Sequence, residues 1–186
     1  MSLRKAIEVV TQLAHAGTVK QYAITGAVAA LNYIEPSLTE DLDVLVSVGD
    51  FEQRTSGLIL LAPIEATLAQ MGYTDRSDVG IFIEGWPVQF LPVSSALDEE
   101  ALARAVEIKI PGAAGEPAVK ARVLRAEYII ANAVKLGRLK DLARVEAFLD
   151  QAAVDLLALR QVIERFDLLS AWKHFCARSG RSNPLV

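Results

Sequence analysis

At 186 residues and 52% hydrophobic, the chain is long enough for one domain with a real core plus a helical appendage, and too apolar for a disordered segment. A formal net charge of −4 excludes a globally cationic nucleic-acid binder and leaves room only for a local basic patch. One cysteine, Cys176, excludes an intrachain disulfide and fits a reducing, cytoplasmic setting.

Residues 3–16 place Leu3, Ile7, Val10, Leu13 and Ala14 on one helical face. Charges inside that pattern argue against a signal peptide, and Gly17 stops the helix. QYAIT at 21–25 is short, apolar and β-branched and predicts a strand; after Gly26, AVAALNY predicts a helix. A loop with Pro36 leads to a strand over Asp41–Val48, and GDFEQRTSG then predicts a loop or a helix start. Pro63 is placed as the first residue of a helix ending before Gly72. The surrounding GLILLAPIEATLAQ is too short and too interrupted, by Pro63 and Glu65, to span a bilayer, so no membrane partner is expected. VGIFIEG and PVQFLPV predict a hairpin around Gly85 and Trp86, residues 96–106 a helix, and VEIKI with VKARVL a second β pair around PGAAGEP. From Ala126 the pattern is helical, punctuated by Gly137, Asp155 and Asp167. The expected fold class is α/β (α+β): a mixed sheet with flanking helices over 1–123, followed by a C-terminal helical bundle over 124–186.

The chemistry concentrates in TEDLDVLVSV. Alternate strand residues share a face, so Asp41 and Asp43 point one way while Leu42, Val44 and Val46 point into a core. Two carboxylates held roughly 7 Å apart along a sheet edge repel each other, and a divalent cation between them removes the repulsion. Mg²⁺ takes one or two protein carboxylates plus substrate phosphates, the arrangement that metal-assisted phosphoryl transfer needs. Either acid alone also serves as a turn cap or a solvent-facing charge. Upstream, Thr25-Gly26-Ala27 sits at a strand-to-helix turn where backbone can approach phosphate; a plain tight turn is the competing reading of Gly26.

ITGAVAALNY…SLTEDLDVLV resembles the opening of the nucleotidyltransferase superfamily, in which a Gly-Gly or Gly-Ser pair opens a helix and a D-x-D strand follows. LRAEYIIANAVKLGRLKDLARVEAFL is similar to the helical half of AbiEii and MenT type toxins and their relatives, where a short G-R turn leads to a K-D-x-x-R helix. The resemblance implies a nucleotidyltransferase-like fold, Mg²⁺ (or Mn²⁺) as cofactor, and an NTP as substrate. It implies an RNA, protein or small-molecule acceptor and a cognate antitoxin. Asp41 and Asp43 match the metal ligands. Gly26 matches the first phosphate-contacting position, with Thr25 beside it. Ala27 replaces the family's Gly or Ser and loses a hydroxyl contact. Lys135, Lys140 and Asp141 fall at the helical catalytic positions, and Arg138 at the turn near the nucleotide.

The helical charges have their own reading. Arg138 and Asp141 are spaced to pair, while Lys140 and Arg144 share a helix face that can equally be an ordinary solvated one. The third carboxylate usual in the superfamily belongs on PVQFLPV, where Gln89 stands; glutamine offers a carbonyl oxygen but no charge and no useful basicity. Glu84 and Asp78 are the acids placed to compensate. Three functions follow: a Mg²⁺-dependent nucleotidyltransferase, a binding module with weakened chemistry, or a structural α/β protein with a chance D-x-D. His15, His174 and Cys176 lack neighbours at metal-site spacing, and Lys173, Arg178 and Arg181 read as a frayed basic terminus.

Overall fold

The computed structural model describes residues 2–36, 39–47, 57–112 and 116–185. Its elements are α1 (Leu3–His15), β1 (Gln21–Ile24), α2 (Gly26–Ala30), β2 (Leu42–Ser47), α3 (Gly57–Gln70), β3 (Ile81–Ile83), β4 (Trp86–Pro92), α4 (Ala96–Ala103), β5 (Val106–Ile110), β6 (Val119–Val123), α5 (Ala126–Leu136), α6 (Leu139–Asp150), α7 (Leu156–Arg165) and α8 (Leu169–Ser179). The predicted segment at 49–56 and Val48 of the predicted strand lie outside the described residues.

The strands form one mixed sheet in the order β3-β4-β2-β1-β6-β5. β1 runs antiparallel to β2, with Tyr22 opposite Val46 and Ile24 opposite Val44. β2 runs parallel to β4, which puts Asp43 opposite Gln89 and Val44 opposite Phe90. β3 and β4 form the expected hairpin, and β5 and β6 the expected second pair. Strand β6 closes on β1 in parallel, with Ile24 opposite Val123. The alternation within β2 does what its sequence demands: Leu42, Val44 and Val46 are buried, while Asp43 on the other face stays partly accessible.

The sheet ends at Val123, α5 begins at Ala126, and one hydrophobic cluster runs through both parts. Ile24, Leu42 and Val44 belong to it together with Ile130, Phe148, Leu159 and Trp172. Helix α5 packs against α2, α4, α6, α7 and α8, so the helical half is built around this one largely buried helix. It ends at Gly137, whose φ of 66° takes the left-handed conformation and turns the chain into α6 within a few residues. That turn fixes the spacing between Lys135, Arg138 and Asp141.

Three expectations need correction. Pro63 lies inside α3 rather than at its start, because the helix already begins at Gly57. Asp41, expected to open the strand on the face of Asp43, lies before β2; the expected breaks hold, Asp167 turning the chain between α7 and α8 at a φ of 54° and Asp155 capping α7 by accepting from the backbone N–H of Leu157 and Ala158. The basic terminus is held down rather than frayed. The Trp172 indole donates to Asn183 at 2.7 Å, Arg181 pairs with Asp150, and Leu185 is buried. Among the described residues no helix is long and apolar enough to cross a membrane.

Candidate functional site

Asp43 sits on β2 in the centre of the sheet, and its environment follows from its neighbours. The backbone N–H of Thr25 donates to the Asp43 carbonyl at 2.9 Å, tying the strand-to-helix turn onto β2. Gly26, at φ 64°, is the next residue. A Cβ there would lie 2.3 Å from Oδ2 of Asp43, a separation real atoms do not tolerate. The glycine is therefore required by the aspartate: only a residue without a side chain fits against that carboxylate and accepts that backbone. Helix α2 spans only Gly26–Ala30, so its dipole adds little to anion binding, and what the turn offers is close backbone approach.

Two hollows flank the D-x-D. A cleft of about 440 Å³ is lined by Thr25, Gly26, Asp43, Gln89, Lys135 and Arg138, among others. A second hollow of about 530 Å³ is lined by Ala27, Glu35, Glu40, Asp41 and Lys140. Arg144 reaches both. The sheet supplies one wall of the cleft and α5 with α6 the other.

The Asp41 and Asp43 side chains accept no hydrogen bond and form no ion pair with any described residue, whereas Asp98 and Asp141 in the cleft wall are fully engaged. Burial, and after it the charge of Asp41, pushes the Asp43 carboxyl above its ordinary range; Lys140, Arg144 and Arg138 pull it back without cancelling the rise. Asp141 is the opposite case. It is 2% exposed, and its two carboxylate oxygens are taken by Arg138 Nε at 2.5 Å and Arg144 at 3.2 Å. Its hydrogen bond, with burial opposing, raises the Arg138 guanidinium pKa further. Asp141 is thus a clamp that aims two arginines at the cleft, and no free carboxylate is left on it for chemistry.

Lys135 lines the cleft and donates to Ser95 Oγ at 3.2 Å. Lys140 lines the Asp41 hollow and lies near enough to Asp43 to act on its charge. The structure therefore gathers Thr25, Gly26, Asp43, Lys135, Arg138 and Asp141 around one cleft, and Ala27, Asp41 and Lys140 around the adjoining hollow. Sequence reasoning left Arg144 open between the site and a solvated face, and missed Asn132, Ser94 and Asp98 in the cleft wall. The signal for the last pair was the Ser95-x-x-Asp98 capping spacing. Ser95 accepts from the Asp98 N–H, and the Asp98 carboxylate accepts from both serine hydroxyls and the Ser94 N–H.

Gln89 stands beside Asp43 in register and lines the same cleft. Neither acid placed to compensate for it reaches there. Glu84 accepts from the Tyr73 hydroxyl at 2.7 Å, and Asp78 lines a separate depression on the far side of Gln89. Asp98, the remaining acid in the wall, is occupied by its serines. Asp43, with Asp41 near enough to act on its charge and the neutral amide of Gln89 in register beside it, offers a donor set suited to one divalent cation. Among the described residues no cluster of three or more His, Cys, Asp or Glu could hold a metal unaided, so phosphate oxygens or water would complete the shell.

No protein-family model and no curated protein sequence matches the chain. Among solved structures, an antigenic nucleotidyltransferase-like protein from Paracoccidioides brasiliensis is similar over 93% of this chain and 94% of that one, with a TM-score of 0.50 and 15% sequence identity. At that identity the likeness shows the fold: a nucleotidyltransferase-like mixed α/β architecture.

Proposed function

We propose that the chain binds an NTP with one Mg²⁺ or Mn²⁺ and transfers its nucleotidyl group to a hydroxyl acceptor. The observation that carries this reading is Asp43, without a donor of its own on the sheet side of a cleft whose other wall carries Lys135, Arg138 and Arg144, with Asp41 close enough to act on its charge from the adjoining hollow. Buried carboxylates ordinarily find donors within the fold. Asp43, half-buried, left without them and facing cations across an open cleft, is arranged with Asp41 beside it for a cation and a polyanion from outside.

Asp41 and Asp43 would hold the cation, which when bound neutralises phosphate charge and polarises the phosphorus centre. Gly26 presents backbone to the phosphates, with Thr25, whose own N–H is spent on Asp43, holding the turn in place. Lys135, Arg138 and Arg144 offset the remaining negative charge, and the Asp141 clamp fixes both guanidinium planes before the ligand arrives. The hollow beside Asp41 and Lys140 is assigned to the acceptor. The sequence resemblance of the Lys135, Lys140 and Asp141 stretch is what supports a place among the AbiEii and MenT type toxins, with an antitoxin partner and an RNA, a protein or a small molecule as acceptor.

One observation favours a second reading, a nucleotide-binding module with weak chemistry. Gln89 occupies the register position next to Asp43, and the other acids of the cleft wall, Asp98 and Asp141, are bound by their own serine and arginine donors, so no side-chain base stands ready for the acceptor hydroxyl. Transfer of labelled NTP to total RNA and lysate protein, measured for wild type and Gln89→Asp at equal Mg²⁺, separates the two. The expected result is Mg²⁺-dependent nucleotide binding with slow transfer in the wild type and faster transfer in Gln89→Asp. Robust wild-type transfer abolished by Gln89→Asp would make the glutamine a working part of the site. Absence of any Mg²⁺-dependent NTP binding would overturn both readings.

A further inference from the structure

Strand β5 closes the sheet at the end opposite the β3–β4 hairpin. Its inner edge pairs with β6 residue for residue, from Val106 opposite Val123 to Ile110 opposite Val119. Among the described residues no strand pairs with its outer edge. Natural proteins blunt such an edge with proline, a bulge or a charge that repels a second strand. The sequence of β5, VEIKI, has no proline, and its ladder to β6 runs without a bulge. Its two charges are of opposite sign and sit symmetrically about Ile108.

That symmetry makes the strand complementary to itself. We propose that β5 is a homodimerisation edge, on which a second copy of this chain lays its own β5 antiparallel about a two-fold axis at Ile108. Glu107 then faces the partner subunit's Lys109, Lys109 faces the partner subunit's Glu107, and Val106 faces the partner subunit's Ile110. Every directly opposed pair is favourable. The register is unique. Sliding the partner by two residues sets Lys109 against Lys109 or Glu107 against Glu107, and in-register parallel pairing opposes like charges at both positions. Sliding by one residue turns the apolar set to the wrong face. A two-fold axis also closes the assembly at two chains, since each subunit uses its one free β5 edge.

The surrounding residues point the same way. Within its own sheet Lys109 stands opposite Lys120, a like charge, and has no ion-pair partner among the described residues. Glu107 is already engaged by Lys120 at 2.9 Å. The second copy's glutamate supplies the carboxylate that Lys109 lacks. Val106, 37% exposed, gains an apolar neighbour on the other face, where Ile108 and Ile110 are partly buried against the core. The cleft between β2, β4 and the helical wall lies away from this edge and stays open in the dimer.

Sedimentation of the purified full chain across a concentration series, before and after charge reversal, tests the proposal. The wild type should show concentration-dependent dimerisation. Glu107→Lys and Lys109→Glu, each alone, oppose like charges and should weaken it about tenfold or more. Mixing those two variants should restore association, because a Lys/Lys strand then meets a Glu/Glu strand, and the double reversal Glu107→Lys/Lys109→Glu should dimerise as the wild type does. If Glu107→Lys fails to fold, the Lys109→Glu variant, whose new carboxylate faces Lys120 in its own hairpin, carries the test together with the double reversal. A wild type that is monomeric at every concentration would overturn the proposal. So would association that neither reversal weakens, or folded single variants that do not associate when mixed.

Discussion

Two carboxylates in this molecule have opposite surroundings. Glu100 on α4 accepts from the Tyr128 hydroxyl at 2.6 Å and is paired with Arg165 and with Arg104 at 3.2 Å. Although burial opposes them, Tyr128 first and then Arg165 and Arg104 hold its carboxyl below the ordinary range. Burial, and after it the same contact, push the Tyr128 phenol up to about 12. Asp43 has no such donors, and burial with Asp41 moves it the other way. An acid that serves the fold is surrounded by its own hydrogen bonds and stabilises the native state. An acid left without them is a local cost, maintained where a ligand supplies what is missing. Asp98 and Asp141 fall with Glu100, although both line the cleft.

The largest expected effect falls on the satisfied side. Asp141→Ala leaves Arg144, whose side chain is only 13% exposed and whose Nε already lacks a partner, beside an empty position. Loss of one member of such a buried pair costs about 3–5 kcal/mol. Chemical denaturation should show that loss, and a change within error would mean that the clamp is not structural. Gly26→Ala is next. It forces a Cβ into Asp43 and an alanine into φ 64°, a strain of about 1–3 kcal/mol. Melting temperature and Mg²⁺·NTP affinity should both fall; a variant that loses stability but keeps affinity would separate the turn from the site.

Much of this comparison was legible in the sequence. The D-x-D at the head of an apolar run marked the candidate cleft, and alternation gave the faces of Leu42, Asp43, Val44 and Val46, but not that of Asp41, which precedes β2 and lines the adjoining hollow. The 126–150 pattern gave the two helices that form the opposite wall. The side-chain economics were not legible. Whether Asp141 is a free acid or a clamp depends on Arg138 and Arg144 folding back onto it, which spacing permits but does not impose. That Gln89 stands beside Asp43 was expected from the family resemblance alone, since the parallel β2–β4 pairing that realises it is a fact of strand order that no local pattern carries. Pro63 misled because proline favours a helix's first turn, whereas here flanking apolar residues, Ile64 and Leu68 among them, are buried and the packing tolerates it in the interior.

A pH series sharpens the contrast in both directions. The Glu100 pKa is lowered on folding, so its contribution is present above the unfolded carboxylate value and is lost as pH falls through the folded one. The stability deficit of Glu100→Gln should therefore shrink toward acid. Asp43 is raised, so its penalty is fully present above its folded value and vanishes below its unfolded one. Without metal, Asp43→Asn should melt a little higher than wild type at neutral pH, and the difference should disappear in acid. This is the smallest expected effect, and a lower melting temperature for Asp43→Asn at neutral pH would show that the aspartate has an unrecognised partner.

The central claim is that the unpartnered aspartates await a metal-bound nucleotide. Calorimetric titration of each NTP into wild type and Asp43→Asn, with Mg²⁺ and with EDTA, tests it most directly. The account predicts binding to wild type in Mg²⁺ only. It predicts affinity about tenfold or more lower in Asp43→Asn, since even the outer partners of metal ligands cost that much when removed. Equal NTP affinity in EDTA and in Mg²⁺, unchanged by Asp43→Asn, would contradict it.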